Sequence, residues 1–211
     1  MIDAYAVTRQ FERELCSYTG AKYAVAVNSC TAAIQLAMKW QIEREIKRIG
    51  HVMMPLMRPA HVPSRTYPSV PMSIMLAGFK VFFDDYEWRG AYPISPYPVW
   101  DCARRFTSGM YIPGQFQCVS FSSSKILGIE QGGAILHDSD EADPWFRRMR
   151  FDGRTEGLAT VDDNYREIGL HVIMLPSIAA QLLLKLSFLP KHNEDLPIIP
   201  YPDLSKFEVF K

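Results

Sequence analysis

Apolar residues recur along this chain in two patterns, one typical of amphipathic helices and the other of buried strands. Spacings of three and four residues follow Phe11, Ala32 and Pro176, and short unbroken apolar runs lie between them. Gly20 and Gly78 close two of the helical stretches, because glycine is favoured just after a helix. The patterns predict helices over residues 11–18, 32–49, 69–76, 138–150 and 176–189, and strands over residues 22–28, 79–83, 98–100, 117–121 and 133–136.

This alternation of strands and helices predicts an α/β domain, built on a mostly parallel sheet flanked by helices. Residues 51–55 and 60–63 compete as the next core strand, because both are short apolar pieces among prolines. Residues 86–97 are rich in proline and aromatics and are predicted to be a loop. We predict a solvated helix end, rather than a phosphate site, for the three arginines Arg147, Arg148 and Arg150.

The last part of the chain differs in composition from the rest. Prolines recur after Pro190 and no periodic pattern is present. We therefore expect one domain over residues 1–189 and a tail over residues 190–211, either extended or wrapped on a neighbouring molecule.

Composition narrows the classes of partner. Apolar residues make up 48% of the chain, enough for a core, and Lys+Arg balance Asp+Glu at 23 each. Because the formal net charge is zero, no broad basic field favours nucleic acid or an anionic membrane, and a small-molecule or protein partner is expected. The four cysteines are widely separated, which indicates neither a metal site nor a disulfide scaffold. With no signal-peptide pattern and no apolar run of membrane-spanning length, we expect a cytoplasmic protein.

Candidate chemistry begins at Ser29-Cys-Thr31, which follows a predicted strand and opens a predicted helix. Free backbone N–H groups and the helix dipole favour an anion at such a turn, although simple N-capping by Ser29 or Thr31 explains it equally well. Asp101 ends another predicted strand. Its carboxylate is either a ligand-binding group at the sheet edge or a helix cap.

A third segment, residues 120–136, contains one lysine, Lys125, between a serine-rich turn and Gly132-Gly133. A lysine that can lose its proton forms Schiff bases with aldehydes, while neighbouring hydroxyls bind phosphate. Taken alone, the segment fits a solvated lysine beside a capping turn better.

Five motifs occur in a fixed order and change that assessment: Ser29-Cys-Thr-Ala32, Pro63-Ser-Arg-Thr-Tyr67, Trp100-Asp-Cys-Ala-Arg104, Val119-Ser-Phe-Ser-Ser-Ser-Lys125 and Gly132-Gly133-Ala134. In this set the chain resembles the DegT/DnrJ/EryC1/StrS family of sugar aminotransferases, enzymes of aspartate aminotransferase fold that use pyridoxal 5'-phosphate (PLP). The resemblance runs from about Phe11 to Leu186.

The resemblance implies a role for each matching residue. Cys30 and Thr31 would hold the cofactor phosphate, and Tyr67 would stack on the pyridine ring. Asp101 would pair with the pyridine nitrogen and keep it protonated, so that the ring accepts electrons.

In the Lys125 segment, Ser120 would be a further phosphate ligand and Lys125 the Schiff-base lysine. Arg104 stands where the family commonly has Gln or His beside the phenolic oxygen. His171 replaces the Asn that reaches the neighbouring subunit's cofactor phosphate. The chain is also shorter than family members, which implies a PLP-dependent transferase-like large domain with a truncated or absent small C-terminal domain.

The implied activity is transfer of an amino group from an amino acid, glutamate or glutamine, to a keto-sugar linked to a nucleotide. The family's active sites lie between subunits, so a homodimer with a shared site is expected. Two alternatives remain open: a PLP-binding or regulatory protein of the same fold without turnover, and an unrelated doubly wound domain that binds a phosphorylated metabolite.

Overall fold

A computed structural model describes residues 3–50 and 57–211. Five helices are present: α1 (Ala6–Thr19), α2 (Cys30–Ile49), α3 (Ser69–Leu76), α4 (Ala142–Met149) and α5 (Pro176–Ser187). Seven strands accompany them: β1 (Tyr23–Val27), β2 (Ala60–Pro63), β3 (Val81–Asp84), β4 (Tyr92–Ile94), β5 (Val99–Asp101), β6 (Phe116–Ser120) and β7 (Gly133–His137). Each of these predicted helices and strands is confirmed: α3 has the predicted ends, and the others differ from the prediction at one end or both.

Residues 51–63 and 86–97 are the regions where the sequence left the secondary structure open or predicted a loop. Of the two candidates for the next core strand, residues 60–63 form β2, whereas residues 51–55 lie outside the described residues. The prediction that residues 86–97 are all loop is wrong, because they contain β4.

The main sheet has the strand order β1-β7-β6-β5-β4, and β2 and β3 form a separate parallel pair. The α/β class is confirmed, but the sheet is mixed rather than mostly parallel: within it only β5 and β6 run parallel. Connection length explains the antiparallel β4, since residues 95–98 alone join it to β5. A parallel neighbour needs a crossover of roughly a dozen residues.

Helices cover both faces of the main sheet. In β1, Val25 and Val27 point into a core shared with α2, α3 and α4, whereas Ala24 and Ala26 point into a second core shared with α1 and α5. Both faces of the central strands are therefore buried, which is why these strands appear in the sequence as continuous apolar runs. Among the helices of the described residues, none has the length and apolar character required to cross a membrane.

Buried charge joins the first helix to the fourth. Arg150 is 3% exposed and donates to Glu12, which is equally buried, and to the carbonyl of Ala26. Arg147 donates to the second Glu12 oxygen at 2.7 Å. The solvated helix end predicted for these arginines is thus wrong for Arg150, because its partner Glu12 lies on α1, far away in sequence.

Residues 190–211 lie on the domain of their own chain. The Tyr18 hydroxyl donates to the carbonyl of Pro190 at 2.6 Å, and Leu204 is 3% exposed. The tail contains two single turns of 3₁₀ helix, at Leu204–Lys206 and Glu208–Phe210, and is otherwise irregular. The domain boundary at residue 189 remains a prediction.

Candidate active site

One cavity of about 350 Å³ lies where the loops after β1, β2, β5 and β6 meet. Its size is within the range of small-molecule pockets. Seven of the eight site residues predicted from the sequence line it: Cys30, Thr31, Tyr67, Asp101, Arg104, Ser120 and Lys125.

The N-terminus of α2 forms one end of the cavity. Ser29 caps this helix and accepts a hydrogen bond from the Ala32 amide at 3.1 Å, so the first backbone N–H groups of a 20-residue helix face the cavity end. Thr31 contributes a hydroxyl that lies 2.7 Å from the hydroxyl of Ser69. The Cys30 thiol instead donates to the carbonyl of Cys118, so Cys30 offers its main chain to an anion.

Close packing of a second loop against this helix start depends on one glycine. A Cβ at Gly133 would lie 2.4 Å from the amide nitrogen of Cys30, closer than real side chains approach. Gly133 therefore allows the Lys125 loop to lie directly beside the α2 N-terminus.

Asp101 is the buried acid of the site, with 5% of its surface exposed. Its carboxylate accepts hydrogen bonds from the Tyr92 hydroxyl at 2.7 Å and from the Ala103 amide at 2.8 Å. Burial raises the pKa of this carboxyl above its usual value, and these hydrogen bonds oppose the rise only in part. A buried carboxylate held by neutral donors is best stabilised by a cationic partner in the cavity.

Lys125 lies on a compact loop between β6 and β7. The Lys125 amide donates to the Ser122 carbonyl at 2.9 Å, and the Gly128 amide donates to the Lys125 carbonyl at 2.8 Å. A Cβ at Gly128 would lie within 2.7 Å of three carbonyl oxygens of this loop, so glycine is required there. Among the described residues, the ammonium group of Lys125 has no hydrogen-bond or ion-pair partner.

Electrostatics favour the neutral amine of Lys125. Burial lowers its pKa from the ordinary value, and the Arg104 guanidinium lowers it further, although Asp101 acts in the opposite direction. A lysine with a lowered pKa is a better nucleophile at neutral pH.

Arg104 is 7% exposed and is held by the chain's own C-terminal tail. Its guanidinium donates to the Pro197 carbonyl, while its Nε has no partner among the described residues. Tyr67 is 58% exposed, and its ring lies edge-to-face with that of Tyr201, with centroids 6.3 Å apart. The Ser120 hydroxyl lies 3.4 Å from that of Ser122.

Comparison with known proteins bears directly on this site. The model of the DegT/DnrJ/EryC1/StrS aminotransferase family matches residues 1–93, which include the α2 N-terminus and Tyr67. That match spans 93 of the 211 residues. The family resemblance predicted from the motifs is confirmed over that stretch.

Solved structures extend the likeness to most of the chain. AtS13 from Actinomadura melliaura superimposes with a TM-score of 0.72 at 18% identity, over 87% of this chain and 60% of that one. The sugar aminotransferase CalS13 from Micromonospora echinospora superimposes with a TM-score of 0.66 at 16% identity, over 86% of this chain and 61% of that one. These similarities confirm the predicted fold, which is that of PLP-dependent transferases.

A curated relative matches a short stretch. The spore coat polysaccharide biosynthesis protein SpsC of Bacillus subtilis (strain 168) is 64% identical over 31 residues, which are 15% of this chain and 8% of that protein. The chain spans about three fifths of the length of AtS13 and of CalS13.

The donor set of the cavity fits the cofactor of this aminotransferase family. A helix N-terminus with hydroxyls suits a phosphate, the buried Asp101 suits a protonated ring nitrogen, and Lys125 supplies a primary amine. No cluster of three or more His, Cys, Asp or Glu side chains that would suit a metal ion occurs in the part of the chain that the structure describes.

His171 is the predicted residue that the structure places elsewhere. It lies outside the cavity lining, with 71% of its side chain exposed, and its Nδ1 is 2.9 Å from a carboxylate oxygen of Asp152. This position does not test the predicted role, because the family resemblance assigns the residue to a neighbouring subunit's site.

Sequence reasoning missed two tyrosines of the site. Tyr92 is fully buried and links Asp101 to the Thr66 hydroxyl. Tyr201 reaches the cavity from the tail. Tyr92 lies in a segment predicted to be loop, and Tyr201 lies in a tail without a periodic pattern. The sequence therefore offered no sign that either tyrosine belongs to the site, apart from its being an aromatic residue with a hydroxyl group.

Proposed function

We propose that this protein is a PLP-dependent aminotransferase. In this proposal the amino group passes from glutamate or glutamine to a keto-sugar linked to a nucleotide. One observation carries it: seven residues taken from four separate sequence motifs line a single cavity. The family match over residues 1–93 supports the same activity.

Bound in this cavity, the cofactor supplies an aldehyde that condenses with a primary amine and a ring that accepts an electron pair. The α2 N-terminus, the Thr31 hydroxyl and the Ser120 hydroxyl hold its phosphate. Tyr67 covers one face of the ring. Asp101 holds a proton on the ring nitrogen, which offsets the cost of burying its own carboxylate.

Lys125 has two roles in the proposal. Its Nζ would hold the cofactor covalently, and the lowered pKa of Lys125 would leave more of the amine neutral for that purpose. With an amino donor in the site, the Lys125 Nζ would accept the proton of the substrate carbon and return it later in the reaction.

The test is a single half-reaction. The purified protein, loaded with PLP, is mixed with L-glutamate or L-glutamine, and formation of the 2-oxo acid is measured together with the amine form of the cofactor. We expect stoichiometric conversion by the wild type and none by Lys125→Ala. Loading without conversion by either donor contradicts the proposed turnover.

The second candidate is a PLP-binding or regulatory protein without turnover. It is favoured by His171, which stands where the family resemblance leads us to expect Asn. The half-reaction separates the two, because a binding protein loads the cofactor but leaves the donor unchanged.

Two further inferences concern assembly and location. We infer a homodimer that shares its active sites, with His171 of each chain directed at the other chain's cofactor phosphate. A cytoplasmic location remains a prediction that rests on the four separated cysteines.

A further inference from the structure

Residues 195–204, which we call the C-terminal strap, contribute Ile199 and Tyr201 to the cavity lining. At its first end, Arg105 holds Asp195 through two hydrogen bonds, Nε to Oδ1 at 3.0 Å and Nη2 to Oδ2 at 2.6 Å. The Leu196 amide donates to the Arg104 carbonyl at 2.9 Å. Gly90 makes room for this attachment, because a Cβ there would lie 2.1 Å from an oxygen of Asp195.

The strap is attached again on the other side of the cavity. The Leu204 amide donates to the Ser64 carbonyl at 2.9 Å, and the Leu204 side chain is buried. Ser64 begins the segment that carries Tyr67. The strap therefore joins the loop after β5 to the loop after β2, and both loops line the cavity.

Between these attachments the strap touches two predicted site residues. The Pro197 carbonyl accepts a hydrogen bond from the Arg104 guanidinium. The ring of Tyr201 meets that of Tyr67 at an interplanar angle of 76°. Tyr201 and Ile199 also line the cavity themselves.

We propose that the C-terminal strap closes the ligand cavity from within the same chain, and that Tyr201 is a positioning residue that fixes the orientation of Tyr67. An edge-to-face contact restricts rotation of a ring that is otherwise more than half exposed, and a preorganised ring loses less entropy when a ligand stacks on it. The identity of the ligand as PLP rests on the proposed function.

The first test is affinity for the cofactor. PLP is titrated into wild type, Tyr201→Ala, Tyr201→Phe and Phe207→Ala, and quenching of protein fluorescence is followed. Phe207 is the matched control, because it is an aromatic of the tail outside the cavity. We expect Tyr201→Ala to weaken binding about tenfold, in line with the loss of an aromatic contact and its ordering effect. Tyr201→Phe keeps the ring edge and should stay within about twofold of wild type.

The second test needs no cofactor. The rate at which a small acylating reagent labels the Lys125 amine is measured by peptide mass spectrometry in the ligand-free proteins. Tyr201→Ala and Asp195→Ala should be labelled several-fold faster than wild type and Phe207→Ala, because they open or release the strap. Ligand-free melting curves verify folding, and Tyr201→Leu replaces Tyr201→Ala if the latter unfolds.

The two tests separate this inference from the proposed function. Failure of the wild type to bind PLP contradicts the proposed function, while the labelling rates still test closure by the strap. Unchanged labelling in Tyr201→Ala and Asp195→Ala overturns the closure. Unchanged PLP affinity of Tyr201→Ala, in a wild type that binds the cofactor, overturns the positioning role.

Discussion

Burial changes the pKa of two charged side chains in the cavity, Asp101 and Lys125, in ways that suit a ligand. Burial disfavours the charged form of both Asp101 and Lys125, so it raises the pKa of the acid and lowers that of the amine. Arg104 adds to the effect on Lys125. In the ligand-free protein Asp101 therefore costs stability at neutral pH, and a cationic ring nitrogen would recover that cost.

Asp101→Asn should lower the affinity for PLP without lowering the stability of the ligand-free protein. We expect PLP affinity to fall about 10- to 100-fold, as for loss of a hydrogen bond to a charged group. Because the folded-state pKa of Asp101 is raised, its ionised form opposes folding above that pKa, and Asn can still bond to Tyr92 and Ala103. The free energy of ligand-free unfolding at pH 7 should therefore be unchanged or higher, and a marked decrease in urea denaturation would contradict this account.

Arg104→Gln should change the pH dependence of cofactor loading. Removing the guanidinium raises the pKa of Lys125 toward its ordinary value, so less neutral amine is present at a given pH. The profile of PLP loading rate against pH should move to higher pH. Arg104→Lys keeps the positive charge and serves as the control, with a profile close to that of wild type. Equal profiles for wild type and Arg104→Gln would show that Arg104 does not act on Lys125.

At the residue scale, the predictable part of the site was the part carried by local motifs. Lys125 and Asp101 are each surrounded in the sequence by the residues that fix their loops, such as Gly128 for Lys125. Tyr201 contacts Tyr67 across 134 positions, and no local pattern records such a contact.

Among the elements, α1 is tied to the end of α4 by buried charge rather than by apolar packing alone. The Glu12 carboxylate accepts from Arg150, Arg147 and the amide of Ala26. Burial by itself raises the pKa of Glu12, but the two guanidinium groups outweigh it, and the net pKa lies below the usual value. Removing one partner of such a pair leaves a buried charge uncompensated.

Glu12→Gln should lower the free energy of unfolding by at most about 3–5 kcal/mol, because the buried Arg150 loses one of its two carboxylate partners and keeps Glu156. Urea denaturation measures the change, and Glu14→Gln, at an exposed position of the same helix, is the matched control. The stabilisation is present above the unfolded-state pKa and is lost as pH falls through the lower folded-state pKa. The deficit of Glu12→Gln should therefore shrink in acid, and a pH-independent deficit would contradict the ion-pair explanation.

Element positions were predictable because helices and buried strands leave long periodic patterns, but pairing directions were not. A strand of three residues such as β4 is too short to show a period, and it lies among prolines. Its antiparallel direction follows from the short connection to β5. That connection could be recognised only after the structure had located β4.

For the whole molecule, the arrangement of cavity, strap and His171 bears on assembly. The strap contacts its own chain, whereas the sequence predicted a tail that is either extended or wrapped on a neighbouring molecule. His171 is exposed and lies outside the cavity lining of its own chain, so a role for it at a cofactor requires a second subunit.

We therefore predict a dimer in solution. Sedimentation equilibrium of the PLP-loaded protein should give twice the mass of one chain, and His171→Ala should weaken PLP binding without lowering the ligand-free melting temperature. A monomer that binds PLP at full occupancy would contradict the shared site.

The most direct measurement of the proposed chemistry is borohydride trapping. The protein is incubated with PLP, reduced with borohydride and digested, and the modified peptide is identified by mass spectrometry. Lys22→Ala, which removes an exposed lysine outside the cavity lining, is compared with Lys125→Ala. We predict a yellow absorption band that reduction abolishes, with the added mass on Lys125 in wild type and Lys22→Ala, and neither band nor label in a folded Lys125→Ala protein. No label, or a label on another lysine that persists in Lys125→Ala, would contradict the assignment of Lys125 as the cofactor-binding lysine.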